Sequence, residues 1–208
     1  MSGLITKIYC ISLERREDRR IALLKRWEQF GYDIEFFMAK DKEVAPNELP
    51  WVPHKGSLLS PSQYACATSH ILLLSSIASQ HSDEYVLILE DDAVPCSDFM
   101  ERLNSIDINT IPKDIDLLTV GHLFDKRTVE NTNETTIEGY RWWSGAHAYI
   151  VSPKSSRLIL DSIDTIWAPF DDMLASLTKL RIYHVIPSLV DQDVGFSDID
   201  EKVINGRK

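Results

Sequence analysis

Basic charge is in short supply in this chain. Lysine and arginine number 22 against 32 aspartates and glutamates, which leaves a net charge of −10 over 208 residues. Broad binding of nucleic acid needs basic surface to neutralise phosphates, so that class is excluded. An anionic ligand would need a local basic pocket or a metal. Cysteine is scarce as well: Cys10, Cys66 and Cys96 are odd in number, and their spacing fits no zinc motif. Cys10 and Cys66 fall inside a predicted strand and a predicted helix, and read as buried thiols of a reducing compartment. Long apolar runs are missing, for no stretch approaches the ~20 residues of a membrane span. The first apolar stretch, residues 8–13, is too short for a signal peptide and leads straight into Glu14-Arg15-Arg16. The expectation is a soluble, cytoplasmic protein with no transmembrane segment. Internal repeats and low-complexity segments are absent. What remains is ordinary globular composition, long enough to bury a substantial core as a single domain over residues 1–208.

Three consecutive carboxylates, Glu90-Asp91-Asp92, close the apolar run Tyr85-Val86-Leu87-Ile88-Leu89. Such a short aliphatic run reads as a strand buried on both faces. The triplet then falls where the strand leaves the sheet, the end that faces the ligand crevice in open α/β sheets. Adjacent carboxylates repel one another and are costly to desolvate. A cation needing oxygen ligands, Mg²⁺ or Mn²⁺, explains such a cluster. The plainer alternative is an acidic strand exit in water.

Further along the chain, strands and helices alternate. Strands are predicted over residues 7–13, 34–39, 85–89, 116–120 and 181–186, with an extended segment over 140–151. Helices are predicted over 15–30, 60–79, 98–103, 153–163 and 171–180. Ser60-Pro61-Ser62-Gln63 carries a capping box with proline at the first helical position. The polar stretches 41–59 and 121–139 read as loops, the second as a lid. Residues 188–208 read as a polar tail that orders on ligand binding. This alternation predicts an α/β/α sandwich around a mostly parallel sheet.

Five ordered segments resemble glycosyltransferase family 25, the lipooligosaccharide galactosyl- and glucosyltransferases related to the collagen galactosyltransferases. They are Ile8-Tyr9-Cys10-Ile11-Ser12-Leu13-Glu14-Arg15-Arg16-Glu17-Asp18-Arg19-Arg20, then Gln63-Tyr64-Ala65-Cys66-Ala67-Thr68-Ser69-His70, then Leu87-Ile88-Leu89-Glu90-Asp91-Asp92-Ala93. Gly145-Ala146-His147-Ala148-Tyr149-Ile150-Val151-Ser152 follows, and then Pro169-Phe170-Asp171 with the tail from Pro187-Ser188-Leu189-Val190 through Gln192 to Ser197-Asp198-Ile199. One departure is Ala65, where the family usually has glycine. The resemblance implies a GT-A-like fold and inverting transfer of galactose or glucose from a UDP-hexose donor to a carbohydrate acceptor, with Mn²⁺ or Mg²⁺ as cofactor.

Residue roles follow from the resemblance and the chemistry together. Negative charge builds on the leaving phosphate of a glycosyl transfer, and a divalent ion stabilises it. Asp92 is the first-choice metal ligand and Asp91 the second, with His184 completing the shell. Glu90 is placed at the ribose. Arg15 and Arg19, four apart at a helix start, are placed at the nucleotide; the alternative pairs these arginines with Glu14, Glu17 and Asp18 as a solvated face. Asp171 is the general base, set against simple helix capping, with Asp172 beside it at the substrate. His70 is placed at the substrate, and Trp143 or Trp142 stacks a sugar ring. Gly145 admits backbone close to the donor, and Gln192, Ser197 and Asp198 close over the diphosphate. Two rival functions stand beside transfer. One is a non-catalytic binding module of the same fold; the other is a Mg²⁺-dependent phosphohydrolase or nucleotidyltransferase.

Overall fold

Unbroken aliphatic runs pair at the centre of the molecule, as their burial on two faces requires. A computed structural model of the chain describes residues 5–43, 59–82, 84–106, 115–123, 135–139, 144–193, 195–198 and 202–204. Its strands are β1 (Lys7–Ser12), β2 (Ile34–Met38), β3 (Val86–Glu90), β4 (Ala93–Pro95), β5 (Leu117–Gly121), β6 (Thr136–Glu138), β7 (Ala148–Val151), β8 (Ile182–Ile186), β9 (Val190–Gln192), β10 (Gly195–Ser197) and β11 (Lys202–Ile204). Its helices are α1 (Glu17–Trp27), α2 (Pro61–Ala78), α3 (Phe99–Ser105), α4 (Pro153–Asp161) and α5 (Phe170–Ser176).

Seven strands form the main sheet in the order β2-β1-β3-β7-β5-β8-β6. β2, β1, β3, β5 and β8 run one way, while β7 and β6 run against them. The sheet is therefore mostly parallel in direction, as the alternating pattern predicts. Side chains alternate across it with the period of a strand. Tyr9, Ile11 and Ile88 join one core with residues of α2, α4 and α5. Ile8, Cys10, Leu87 and Leu89 join the other with Leu23 and Trp27 of α1 and Phe99 and Leu103 of α3. β3, inside the sheet with a core on each face, thus needs apolar residues along its run, which is what the stretch before the acidic triplet displays.

Local signals fix the element that frames the site. Ser60 Oγ accepts the Gln63 N–H at 3.1 Å, and Gln63 Oε1 accepts the Ser60 N–H at 3.0 Å. This reciprocal cap satisfies two donors that α2 would otherwise leave open, worth about 1 kcal/mol. Gly31, at φ 70°, ends the short turn that follows α1 and takes the left-handed conformation glycine adopts cheaply.

Two expectations need correction. The predicted tail is not all loose: Leu189 and Val190 are fully buried, and β9 pairs antiparallel with β4. Its apolar Leu189-Val190 pair covers the open edge of β4 and supplies hydrogen-bond partners to it. β6, at residues 136–138, lies in the stretch read as a polar loop; β8 pairs with it, a non-local contact that polar composition does not reveal. The rest of the proposed lid (residues 124–134), most of the 41–59 loop (residues 44–58), and Trp142 and Trp143 lie outside the described residues.

Candidate active site

The parallel strands end together, and two adjoining clefts open at their carboxyl ends. They share Cys66, Glu90 and Asp92 as a common wall. The first cleft lies between the β1–α1 turn, the exit of β2 and α2. The second lies toward Gly145, the start of α5 and Gln192.

The triplet divides its labour as a strand must, with neighbours facing opposite ways. Asp91 turns toward β1 and α1. Its Oδ2 accepts the Ser12 hydroxyl at 2.8 Å and its Oδ1 accepts Arg19 Nη1 at 2.8 Å. Both oxygens are engaged, so Asp91 ties β3 to β1 and α1. Burial raises its carboxyl above the ordinary range, and the Arg19 and Ser12 hydrogen bonds oppose that rise without cancelling it.

Asp92 differs. Burial, then the charges of Glu90 and Asp91, pushes its carboxyl up to about 8. Its Oδ1 is buried with no hydrogen-bond partner among the described residues. A buried, unpartnered carboxylate oxygen is costly. A divalent cation reached from the clefts removes that cost, so the donor chemistry at Asp92 fits such an ion. Glu90, expected at the ribose, lines both clefts and turns toward α2. Its Oε1 lies 3.2 Å from His70 Nε2 and 3.9 Å from Cys66 Sγ.

His184 does not join the triplet. It sits three strands from β3 in the sheet, about 14 Å at the usual strand spacing. Its ring is buried, with Nδ1 2.6 Å from Thr119 Oγ1. A mid-strand histidine points into a core, and here it packs beneath the sheet's far half.

The arginines converge on acids rather than on solvent. Arg15 Nη2 donates to Asp198 at 3.0 Å, Arg19 Nη2 lies 3.8 Å from the same carboxylate, and Arg16 also reaches it. Arg15 pairs with Asp41 too, and Arg16 with Asp18. Among the described residues, the pairing that the solvated-face alternative names is seen for Arg16 and Asp18. Arg15, Arg19 and Asp198 line the first cleft together. Arg20 instead closes the β1–α1 turn through the Leu13 and Glu14 carbonyls at 2.6 and 2.8 Å.

In the second cleft, Asp171 is tied down. Its Oδ2 accepts the Gly145 N–H at 2.7 Å and its Oδ1 accepts the Asp172 N–H at 3.1 Å. Gly145 holds φ 88°, and a Cβ there would stand 3.0 Å from His147 Nδ1 and from Leu123 Cγ. Asp171 is thus the clasp on a turn that only glycine fits, which the proline-led helix start alone does not disclose. Asp172 lines the same cleft, and burial, then the charge of Asp171, raises its carboxyl. Gln192 lines it too, carried there by β9. Ser197 lies in β10, paired with Lys202.

His70 reaches the first cleft from α2, its ring stacked 4.4 Å from Phe170 and its Nδ1 2.9 Å from the Tyr149 hydroxyl. Cys66 is the residue that sequence reasoning misplaced. It is half-buried in the shared wall rather than sealed in the core, and four-residue spacing to His70 was the available signal.

The model of Glycosyltransferase family 25 (LPS biosynthesis protein) matches residues 5–174. A Glycosyltransferase 25 family member of Aedes aegypti is 25% identical over 174 residues, covering 76% of this chain and 28% of its own length. A namesake from Anopheles gambiae is 32% identical over 100 residues, covering 42% of this chain and 17% of its own. The chain thus spans under a third of the length of these curated relatives. Among solved structures, a glycosyltransferase involved in the glycosylation of the major capsid of PBCV-1 aligns with TM-score 0.51 at 9% identity, covering 90% of this chain and 93% of its own. A protein of STIV aligns with TM-score 0.51 at 13% identity, covering 98% and 95%. At these identities the structural likeness concerns the fold.

Proposed function

The chain belongs to glycosyltransferase family 25, and from that premise we propose that it transfers a hexose, galactose or glucose, from a UDP-sugar to a carbohydrate acceptor with inversion. One observation supports this most: a buried, unpartnered carboxylate oxygen of Asp92 stands between an arginine-lined cleft and an aspartate-lined one. An anion with a cation attached fits the first cleft, and a neutral, hydroxyl-rich acceptor fits the second.

In this reading Arg15 and Arg19 exchange Asp198 for the donor's diphosphate, a like-for-like swap of acceptor oxygens. Asp92 holds Mn²⁺ or Mg²⁺, which when bound neutralises charge on the leaving diphosphate. Asp91, fixed by Ser12, keeps Arg19 oriented. Asp171 holds the Gly145 turn that shapes the second cleft. Asp172 is the general base: its side chain makes no hydrogen bond among the described residues, and its raised carboxyl grips a proton more firmly than an ordinary aspartate. The acceptor oxygen gives its proton to Asp172 and bonds to the anomeric carbon from the face opposite UDP. The anomeric C–O bond to UDP breaks with its electron pair, so the configuration inverts.

Thermal melts with UDP, UDP-galactose and UDP-glucose, each with and without Mn²⁺, test this. A ligand that binds the native state raises apparent stability by mass action. A Mn²⁺-dependent shift with a UDP-hexose that is lost in Asp92→Asn is expected. No shift with any of these would sink the donor assignment.

A further inference from the structure

The transfer chemistry leaves one cluster of metal-ligating side chains without work. Cys66 and His70 are four apart on α2, so they stand one above the other on one face. Glu90 meets them from the end of β3. The three ligand atoms lie within 4.8 Å of one another, with His70 Nε2 3.2 Å and Cys66 Sγ 3.9 Å from Glu90 Oε1. Donors held about 2.0–2.3 Å from a tetrahedral zinc stand about 3.3–3.7 Å apart, so little movement is needed. A thiolate, an imidazole and a carboxylate are a borderline-soft set, which suits zinc better than the oxygen-seeking Mg²⁺ or Mn²⁺.

His70 is also held as a zinc ligand is held. Its ring stacks on Phe170, and its Nδ1 faces the Tyr149 hydroxyl at 2.9 Å. A metal-bound histidine gives its other N–H to an outer partner. A tyrosine hydroxyl serves both states, because it donates or accepts. Without metal, the Tyr149 O–H donates to Nδ1 and Nε2–H donates to Glu90. With metal on Nε2, the proton sits on Nδ1 and is donated to the Tyr149 oxygen. Cys66 and Glu90 remain partly open to both clefts, which gives the ion a way in and water a fourth position.

We propose that Cys66, His70 and Glu90 form a zinc site, separate from the oxygen site at Asp92. Zinc binding releases the Cys66 thiol proton to solvent as the thiolate forms. One consequence rests on the transferase reading: zinc in the shared wall crowds the donor cleft and inhibits transfer.

Cobalt(II) titration of the full chain tests the site without reference to activity. One Co²⁺ per chain is expected, with a thiolate-to-cobalt absorption band that stoichiometric Zn²⁺ abolishes. Cys66→Ser should lose the band, His70→Gln should weaken zinc binding by about tenfold or more, and Asp92→Asn should keep the band. Circular dichroism checks that each variant is folded; Cys66→Ser, a near-isosteric change at the cleft wall, decides the matter if His70→Gln is not. No thiolate band in the unmodified protein overturns the proposal. So does a band that survives in Cys66→Ser. A band with no effect of zinc on sugar transfer upholds the site and counts only against its inhibitory consequence.

Discussion

The two clefts obey different electrostatic rules. On the far wall of the first, basic and acidic groups are paired: Arg15 and Arg19 share Asp198, and Arg19 also holds Asp91. In the second, Glu90, Asp92, Asp171 and Asp172 gather with no arginine or lysine among the described residues that line it. A neutralised wall is stable alone and can trade one anion for another. An uncompensated acidic wall stays costly until a cation or a proton arrives. The arginine side of the first cleft is thus built for exchange of anions, and the acidic side for holding a cation or a proton.

Removing the acid at the junction should break that contrast most severely. Asp92→Asn is expected to lower turnover by about a thousandfold, on the order of one lost electrostatic element of an active site, measured as hexose transfer at saturating donor. Transfer surviving within about tenfold would show that the wall does not need Asp92. The same variant should move stability the opposite way. In the fold Asp92 keeps its proton up to about 8, whereas the unfolded chain releases it near the usual ~4. Between these values the native state binds the extra proton, so stability falls as pH rises through the window and levels off above it. Asp92→Asn should flatten this fall in metal-free protein, making it more stable than the parent at pH 8 and little different at pH 4. Thermal melts across pH read this directly, and a parent curve already flat from pH 4 to pH 8 would contradict it.

The acidic wall can next be divided. Asp172→Asn should cost about a hundredfold in kcat with KM for the donor kept, as for a lost general base. Asp171→Asn should disturb KM and stability together, since it loosens the Gly145 clasp. Equal kcat losses with unchanged KM in both would return the base to Asp171. On the neutralised wall, Arg19→Gln should raise donor KM about tenfold, the ~1.4 kcal/mol scale of one charge-assisted hydrogen bond. The smallest effect is expected at the exchange partner itself. Asp198→Asn should tighten UDP binding by about two- to fivefold, because partly exposed ion pairs contribute little. Calorimetry would measure this, and weaker UDP binding would mean that Asp198 organises the arginines rather than competes for them.

The acidic triplet, the capping box and the aliphatic runs were legible because each is local. A cap needs residues three apart, and a strand buried on both faces needs only its own composition. The arginine-rich first turn and the Gly145 segment were legible as well, through order along the chain. Partner choice was not. That Asp91 spends both oxygens on Ser12 and Arg19 is decided across 79 and 72 residues of sequence. That His184 lies far from the triplet follows from β7 and β5 being inserted between β3 and β8. The tail's placement against β4, and Cys66 opening into a cleft rather than a core, likewise follow from packing. By itself the sequence determined the elements, their buried faces and the chemistry available at their ends, because these depend on near neighbours. Only the tertiary structure decided which carboxylate stays unpartnered, because hydrogen bonds and burial are settled between segments distant in the chain.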